Sequence, residues 1–365
     1  MVLEQHSNDN KYTFSHSRFS KLNISFPFFI APMVGLSHVA FRELIHSYTP
    51  KNVNAIRFTE MLSTRRIPNE KIETTNELRI AENESYFIPQ LLGNEEKYIG
   101  PSIEKLSDKN PFGFDINMGC PVSHTLKHNW GVRLMGDISY AADVVRIAKK
   151  YSTLPISVKL RGGADKIEDE NYLLSFTSAL EQNGADFITI HGRTRAQKHN
   201  GEANWGLVSR VRQKLSLPVI ANGNIQTSFD AIDVIKNFGC DGAMIARAAC
   251  ARPWILWQIA EDLNNHVTPS GFEGRKAPRT PQEESKEYGE ACLKFLHILQ
   301  KYFHQEDYIL ERFRFFVATG ARWFQFGHYF WKLTMRAKTV HDLELAVRDF
   351  NSSYENIMYD KINII

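Results

Sequence analysis

The sequence predicts an α/β fold, a parallel (β/α)8 barrel of the TIM type, followed by an all-helical C-terminal domain. Eight short apolar runs, rich in Ile, Val or Phe and bounded by Gly, Pro, Asn or Asp, recur along the first two thirds of the chain. Helix-period stretches separate them, which is the alternation of a parallel barrel. An open doubly wound sheet is the rival, but it usually has fewer strands, and no GxGxxG follows the first run.

Each run has the length and composition of a buried strand. The eight predicted strands cover residues 28–34, 55–61, 86–93, 113–120, 155–161, 187–193, 218–224 and 242–247.

Three of the intervening stretches carry a clear helical stripe. In residues 141–150 the acidic residue comes early and two lysines come late, as suits the helix dipole. A second stripe, residues 173–180, ends at Asn183-Gly184, and a third, residues 231–235, ends at Gly239.

The chain divides into three segments by composition. Residues 1–265 hold all eight strands and form the predicted catalytic barrel. Residues 266–283 are rich in Pro, Gly and charge and are interpreted as a linker. Residues 284–365 show helical periodicity without a strand pattern, which predicts a helical domain.

Composition excludes several protein classes. Of 365 residues, 43% are hydrophobic and 23% charged, which is typical of globular proteins and not of disordered, collagen-like or coiled-coil chains. The 44 basic and 41 acidic residues nearly cancel, so net charge neither requires nor excludes a nucleic-acid partner. The four cysteines form no CxxC pair or zinc spacing, so we expect no disulfide framework, no metal and a cytoplasmic location. No signal-peptide core or membrane-spanning run is evident.

Functional side chains collect where the predicted strands end, and in a (β/α)8 barrel those ends face one mouth. These residues are Met33, Glu60, Gln90, Asn117, Cys120, Lys159, Arg161, His191, Arg193, Asn222, Asn224 and Arg247.

The loops after the last two strands resemble a phosphate site. Gly223 in Asn222-Gly223-Asn224 permits close backbone approach, and Arg247 after Ala246 can form a charge-assisted fork to a phosphate. Tight turns and a surface arginine are the alternative.

Lys159 and Cys120 are the candidate reactive groups. Lys159 could form a Schiff base, donate to an electron-rich ring such as a flavin, or pair with Glu60 in a core salt bridge. A free thiol is mostly protonated at neutral pH, so Cys120 could act as a proton donor, as a nucleophile, or only as a small buried side chain.

Taken together, these strand ends resemble the dihydrouridine synthase family. The matching motifs run in family order through the barrel: APMVG at 31–35, FR at 41–42, QL at 90–91, DINMGCP at 115–121, VKLR at 158–161, IHGRTR at 190–195, GEANW at 201–205, ANGNI at 221–225, IARA at 245–248 and RPW at 252–254.

The resemblance implies an FMN-dependent oxidoreductase that uses NADPH to reduce the C5–C6 double bond of a uridine in tRNA, with Cys120 as general acid. It implies that Asn117 and Arg193 contact the uracil. The implied flavin contacts are Pro32, Met33, Val34, Gln90, Lys159 and His191, and the implied phosphate contacts are Asn222, Gly223, Asn224, Ala246 and Arg247. We expect a monomer.

This chain departs from the family pattern at a few positions. Asn224 stands where Asp is commoner and Ala246 where Gly is commoner; His199 replaces a frequent Tyr, and Trp130 and Arg133 replace small residues. These departures keep open a tRNA-binding homologue impaired in catalysis. A Schiff-base lyase using Lys159 and another FMN barrel reductase are further alternatives.

The helical segment contains a purely basic stretch. Residues 312–341 hold six basic and no acidic residues, interleaved with aromatic ones. A helical core with a solvated basic face would give this pattern, but the lack of any carboxylate favours a surface that faces phosphates. The family resemblance also implies that this domain contacts tRNA, and we expect Arg312, Arg314 and Arg322 to do so.

Overall fold

Eight parallel strands close into a barrel in the computed structural model, which describes residues 17–82, 84–164, 168–198, 200–352 and 356–363. The predicted outer limits at residues 1 and 365 lie outside the described residues, as does His199. The strands are β1 (Phe28–Ile30), β2 (Arg57–Ser63), β3 (Phe87–Leu92), β4 (Phe114–Met118), β5 (Ile156–Gly163), β6 (Phe187–Thr194), β7 (Val219–Asn222) and β8 (Gly242–Ile245).

The strands follow one another around the barrel in chain order, and β1 pairs with β8 to close it. All eight predicted strands are therefore confirmed. The largest difference is in β1, which ends at Ile30 because Pro32 has no N–H to donate to a ladder. The chain then turns, and the Met33 carbonyl accepts from the N–H groups of Leu36 and Ser37.

Helices surround the barrel and follow most of the strands. They are α1 (Ser17–Ser20), α2 (Val39–Ser47), α3 (Glu96–Ser107), α4 (Ser123–Lys127), α5 (Ile138–Lys150), α6 (Glu170–Gln182), α7 (Trp205–Lys214), α8 (Ser228–Lys236), α9 (Ala248–Ala251) and α10 (Ile255–Asp262).

The three predicted helices are α5, α6 and α8, and each begins at a side-chain cap. Asp137 and Asp169 accept backbone N–H groups at the starts of α5 and α6, and Thr227 with Asp230 forms a capping box on α8. After α6, Gly184 has φ +98°, a conformation that favours glycine.

The inside of the barrel has an apolar floor below a polar layer. The floor is built from side chains such as Phe29, Phe58 and Phe187, all fully buried. Above it, Asp115 and Gln90 are also buried. This arrangement follows from the strand period of two, since alternate residues of each strand point inward.

An irregularity in β2 decides where Glu60 points. The register of β2 against β3 shifts between Phe58 and Met61. The Glu60 carboxylate is buried and accepts a hydrogen bond from the Gly35 N–H at 2.7 Å. No ion pair joins Glu60 to Lys159 among the described residues, so the core salt bridge considered for this pair is wrong.

The C-terminal region is helical, as predicted. Its helices are α11 (Pro281–Tyr302), α12 (Glu306–Gly320), α13 (Gly327–Arg336) and α14 (Val340–Ser352), with an isolated antiparallel bridge between Phe324 and Met358. Helix α11 begins inside the predicted linker, while the exact domain limits stay a prediction. In the described parts of the chain, no helix is both long and apolar enough to cross a membrane.

The predicted linker packs against the barrel. Residues 266–280 form no helix or strand, yet the Phe272 ring lies 5.2 Å from that of Tyr48 and 5.3 Å from that of Trp257. Phe272 and Ala277 are buried. The composition of this segment therefore marks irregular structure, which buried side chains such as Phe272 and Ala277 anchor to the rest of the protein.

A buried ion pair joins the two regions. The Arg252 guanidinium, just after α9, donates to both carboxylate oxygens of Glu284 on α11, at 2.7 and 2.9 Å. Gln258 donates to the same carboxylate at 2.8 Å, and the Tyr48 hydroxyl donates to Glu287 at 2.9 Å. These side chains are all buried, so the helical domain is held against the barrel by satisfied polar contacts as well as by apolar packing.

We predict that Arg252→Met lowers the free energy of unfolding by about 3–5 kcal/mol, because it leaves the Glu284 carboxylate buried without its counter-charge. Urea unfolding followed by circular dichroism measures the change. The control is Arg210→Ala, which removes an exposed pair with Glu170 and should cost less than about 1 kcal/mol. Equal losses in the two variants would contradict the assigned role.

Candidate functional site

A cavity of about 570 Å³ opens where the strands end. Its volume is in the range usual for small-molecule and cofactor sites. It brings together the barrel residues predicted to contact the cofactor or the uracil, with the predicted general acid: Pro32, Met33, Val34, Gln90, Asn117, Cys120, Lys159, His191, Arg193, Asn222, Gly223, Asn224, Ala246 and Arg247. Of the other side chains expected at the mouth, Arg161 lines the cavity and Glu60 does not.

The cavity is lined by cations. Lys159, Arg161, Arg193, Lys198 and Arg247 contribute to its wall, and no Asp or Glu stands among the described residues that line it. Such a lining favours an anionic ligand, because opposite charge is attracted strongly where water is partly excluded.

The side chains in the loop after β7 form hydrogen bonds that stabilise the loop. Asn222 donates its amide N–H to the Met244 carbonyl at 2.8 Å, and the Asn224 side-chain oxygen accepts from the Ala203 N–H at 2.9 Å. The Trp205 indole donates to the Gly223 carbonyl at 2.9 Å. The asparagines therefore shape the turn, and a phosphate there would meet backbone N–H groups and Arg247.

Gly223 is required by close packing in this turn. Its φ is +105°, and a Cβ at this position would lie 2.8 Å from the His191 ring and 2.8 Å from the Ala203 methyl. Glycine therefore lets His191 and the backbone of the β7 loop share one wall of the cavity.

Arg247 sits in a cluster of guanidinium groups. Burial lowers the pKa of Arg247 to about 10, and repulsion from Arg322 and Arg193 adds to this effect. A bound dianion would relieve that repulsion, so the cluster fits a phosphate. Arg322 comes from the helical domain, so this domain lies close to Arg247.

Lys159 projects inward from β5, in register with Asn117 on β4. Burial lowers the pKa of Lys159 to about 8, with added repulsion from Arg161; Asp115 and Cys120 act in the opposite direction. Within the described part of the chain no hydrogen bond or ion pair of its ammonium group is found. Lys159 can therefore donate to a ligand or exchange a proton near neutral pH.

Sequence reasoning missed Asp115, which lies in the polar layer beneath the cavity. Its carboxylate is fully buried and accepts from the Ser157 hydroxyl at 2.6 Å and from the Gln90 amide at 2.7 Å. Burial raises the pKa of Asp115 to about 6. The signal was present in the sequence: a carboxylate at an inward position of a buried strand needs partners.

Cys120 is the one cysteine of the four that is not buried, and it lines the cavity. The Cys120 N–H donates to the Asn117 side-chain oxygen at 3.0 Å, and the Cys120 carbonyl accepts from the Val132 N–H at 3.0 Å. Cys240, by contrast, is fully buried, and burial raises the pKa of its thiol to about 12.

Trp130 lies behind the cysteine loop and does not line the cavity. It is buried, and its indole donates to the Asn94 side chain at 2.8 Å. The Arg65 guanidinium stacks over its ring at 5.0 Å. Trp130 therefore supports the loop after Cys120 from outside the cavity.

Two arginines of the mouth are engaged with loops. The Arg193 Nε donates to the carbonyl groups of Asn200 and Gly201 at 3.3 and 3.2 Å. Arg161, absent from the predicted contacts, donates to the Gly119 carbonyl at 2.9 Å and to the Thr194 carbonyl at 3.1 Å. Both arginines therefore fix the loops that surround the mouth.

The three predicted RNA-contacting arginines lie in different places. Arg312 and the exposed Phe315, both on α12, pack so closely on Gly35 that a Cβ at Gly35 would lie 2.8 Å from the Phe315 ring. Arg322 lies near Arg247. Arg314 points elsewhere and donates to the carbonyl groups of Thr334 and Ala337 at 3.2 and 2.5 Å. Arg312 therefore lies against the turn after β1, and Arg314 stabilises the end of α13. None of the three arginines is among the described residues that line the cavity.

Comparison with known proteins gives a consistent family match. The model of the dihydrouridine synthase (Dus) family matches residues 29–316. A probable tRNA-dihydrouridine synthase of Rhizobium leguminosarum is 32% identical over 247 residues, 67% of this chain and 76% of the relative. Probable enzymes of the same name from Synechocystis sp. (32% over 254 residues, 69% and 68%) and Rickettsia bellii (28% over 257 residues, 70% and 76%) are also similar.

We predict that trace acetylation of Lys159 rises with pH and levels off above about pH 8, because the neutral amine reacts and burial lowers the pKa of this lysine to about 8. Peptide mass spectrometry of the flavin-free protein after acetic anhydride treatment measures the rate. A lysine peptide, whose amine titrates near ~10.4, is the reference. A Lys159 rate that keeps rising in parallel with this reference would contradict the prediction.

Proposed function

Because the chain belongs to the dihydrouridine synthase family, whose members are flavin-dependent oxidoreductases that modify tRNA, we propose that it reduces the C5–C6 double bond of a tRNA uridine. We propose FMN as its flavin and NADPH as its electron donor. The observation that carries the proposal is one cavity that holds Cys120, Lys159 and the turn at Asn222 with Arg247. In it, a proton donor, a ring-binding cation and a phosphate site face the same space.

The cavity suits FMN at both ends of the cofactor. The guanidinium of Arg247 and the backbone around Gly223 would hold the phosphate, with Ala246 beside them. Lys159 and Gln90 would contact the ring from the inner strands, and the loop at residues 32–34 and His191 would flank it. When bound, the flavin would supply the hydride for uracil C6.

Cys120 would deliver the proton. Hydride addition at C6 places negative charge at C5 and O4 of the uracil, and a neutral thiol at the cavity wall can protonate C5. Its N–H is held by Asn117, which fixes the turn that carries it. The presence of Cys120 in the cavity argues against the impaired homologue considered from the sequence.

The cationic wall would stabilise the transition state. Lys159 and Arg161 lie on β5 at the same side of the cavity as Cys120 and oppose the charge that grows on the uracil. Asn117 and Arg193 line the path of the base, which must leave its stack to reach the site.

The helical domain would bind the RNA backbone. The helical domain offers the exposed Arg322 near Arg247 and the partly buried Arg312 beside Gly35. It also carries exposed aromatic rings at Phe315, Phe326 and Tyr329. Guanidinium groups neutralise phosphates and flat side chains stack on unpaired bases, which are the two main contacts of RNA recognition. Arg314 would support this surface from within, through its bonds to the end of α13.

We also propose a cytoplasmic location and a monomeric enzyme. The four cysteines are all unpaired, which suits a reducing compartment.

The central test is spectroscopic. We predict that the purified protein shows a flavin spectrum, that NADPH bleaches it without oxygen, and that unmodified tRNA restores it while dihydrouridine forms. Mass spectrometry of the tRNA measures the product. Absence of bound flavin, or bleached flavin that no tRNA reoxidises, would refute the proposal.

Two cysteine variants test Cys120 as the proton donor. Cys120→Ala should bleach normally with NADPH, while its reoxidation by tRNA slows by about 10²- to 10⁴-fold, because a general acid contributes that much. Stopped-flow absorbance separates the two half-reactions. The matched control is Cys240→Ala, at a buried position outside the cavity, which should keep both rates. Reoxidation of Cys120→Ala at the unmodified rate would remove this role.

A further inference from the structure

A continuous chain of hydrogen bonds runs beneath the cavity from Ser157 to the cysteine turn. The Ser157 hydroxyl donates to Asp115 at 2.6 Å, the Gln90 Nε2 donates to Asp115 at 2.7 Å, and the Asn117 Nδ2 donates to the Gln90 Oε1 at 2.8 Å. The Asn117 Oδ1 then accepts from the N–H groups of Gly119 and Cys120 at 3.2 and 3.0 Å. Asp115, Gln90 and Asn117 are all at most 9% exposed, so water does not replace these partners.

The carboxylate at one end determines the direction of the whole chain. An ionised carboxylate only accepts hydrogen bonds, so Gln90 must turn its NH2 toward Asp115. Its oxygen is then left facing Asn117, which must present its own NH2. The Asn117 oxygen can only point the other way, toward the backbone of the cysteine turn.

The opposite direction would break the turn. With both amides reversed, Asn117 would present its NH2 to the N–H groups of Gly119 and Cys120, which places donors against donors. Two neutral amides by themselves have no preference between the two directions. The backbone N–H groups of the turn favour the observed direction at one end, and the buried acceptor at Asp115 favours the same direction at the other.

The electrostatics agree with a charged Asp115. Burial raises the pKa of Asp115, and the hydrogen bonds from Ser157 and Gln90 and the charge of Lys159 limit the rise to about 6, which is below neutral pH. The effect of Asp115 on the cysteine turn is transmitted through the two amides.

We propose that Asp115 is a positioning residue for the reaction, which sets the orientation of the Gln90 and Asn117 amides and thereby the turn that presents Cys120 to the cavity. Its link to turnover rests on the proposed function, in which Cys120 is the proton donor. Its link to the turn does not.

The conformation of the turn is probed by the rate at which iodoacetamide alkylates Cys120 in the flavin-free protein. The other three cysteines are buried, so the labelling rate reports on Cys120. Gln90→Glu should raise this labelling rate about tenfold, because two carboxylates then face each other and the hydrogen-bond chain no longer orients the Asn117 amide. The double variant Asp115→Asn with Gln90→Glu restores a matched chain, in which the new amide at position 115 donates to the new carboxylate at position 90. This variant should return the rate to within about twofold of the original.

A second pair tests the same idea at the other end. Asn117→Asp places an acceptor against the Gln90 oxygen and should speed labelling. Combined with Asp115→Asn, every link is again matched in the reversed direction, and the new carboxylate at position 117 still accepts from the Cys120 N–H. This pair also keeps the test usable if Gln90→Glu does not fold. Labelling rates that multiply independently in both double variants would overturn the proposal.

Turnover is measured in the flavin-loaded enzyme. Asp115→Asn should lower kcat for tRNA about tenfold with little change in KM, because the helical domain that binds RNA is untouched. The control is Asp241→Asn, which removes a buried carboxylate that accepts from the Val219 N–H at the other end of the barrel. It should lower stability without changing kcat. An unchanged kcat in Asp115→Asn, or an equal loss in the control, would overturn the positioning role.

Failure of the proposed function and failure of the inference about Asp115 give different results. If the wild-type protein bleaches but does not reduce any tRNA, the proposed function fails while the labelling pairs still decide the role of Asp115 in the turn. If tRNA is reduced and the labelling pairs show no coupling, the proposed function stands and the inference about Asp115 fails.

Discussion

The pairing of β1 with β8 is the contact on which the site depends. It joins the first and last strands through Phe28, Phe29 and Ile30, and it places the loop at residues 32–34 beside Ala246 and Arg247. Without closure, the loop at residues 32–34 and the residues after β8 would lie at opposite edges of an open sheet. Closure also removes the free strand edges, which in an open sheet invite association with other chains.

Closure imposes a second constraint, because whatever points inward must be satisfied inside. Below, Phe29 and Phe187 fill the space with apolar contact. Above, polar groups have no bulk water and must pair with one another, which is the origin of the chain that links Asp115 to the cysteine turn. The mouth is thus built on a layer of hydrogen-bonded polar side chains, and that layer rests on the apolar floor.

The sequence predicted what depends on short-range pattern. Buried parallel strands are apolar runs between chain breakers, so all eight were found, as was the gathering of their ends at one mouth. What failed depends on geometry across the fold: the shift in β2 carries Glu60 to Gly35 and away from Lys159. Arg314 could not be separated from its neighbours, because only the position of α13 shows that carbonyl groups occupy it.

The packed segment around Phe272 and the Arg252–Glu284 pair have a consequence for selectivity. They hold the C-terminal helices at a fixed separation from Cys120, so helices that bound RNA as proposed would set the distance between the bound phosphates and the thiol. If Arg312 and Arg322 bound phosphates of the tRNA, only the nucleotide at one fixed distance from those phosphates would reach the Cys120 thiol. The uridine that is reduced would then be determined by its distance along the folded RNA from the bound phosphates. Changing the packing around Phe272 or the Arg252–Glu284 pair would shift the selected uridine without changing any residue of the mouth.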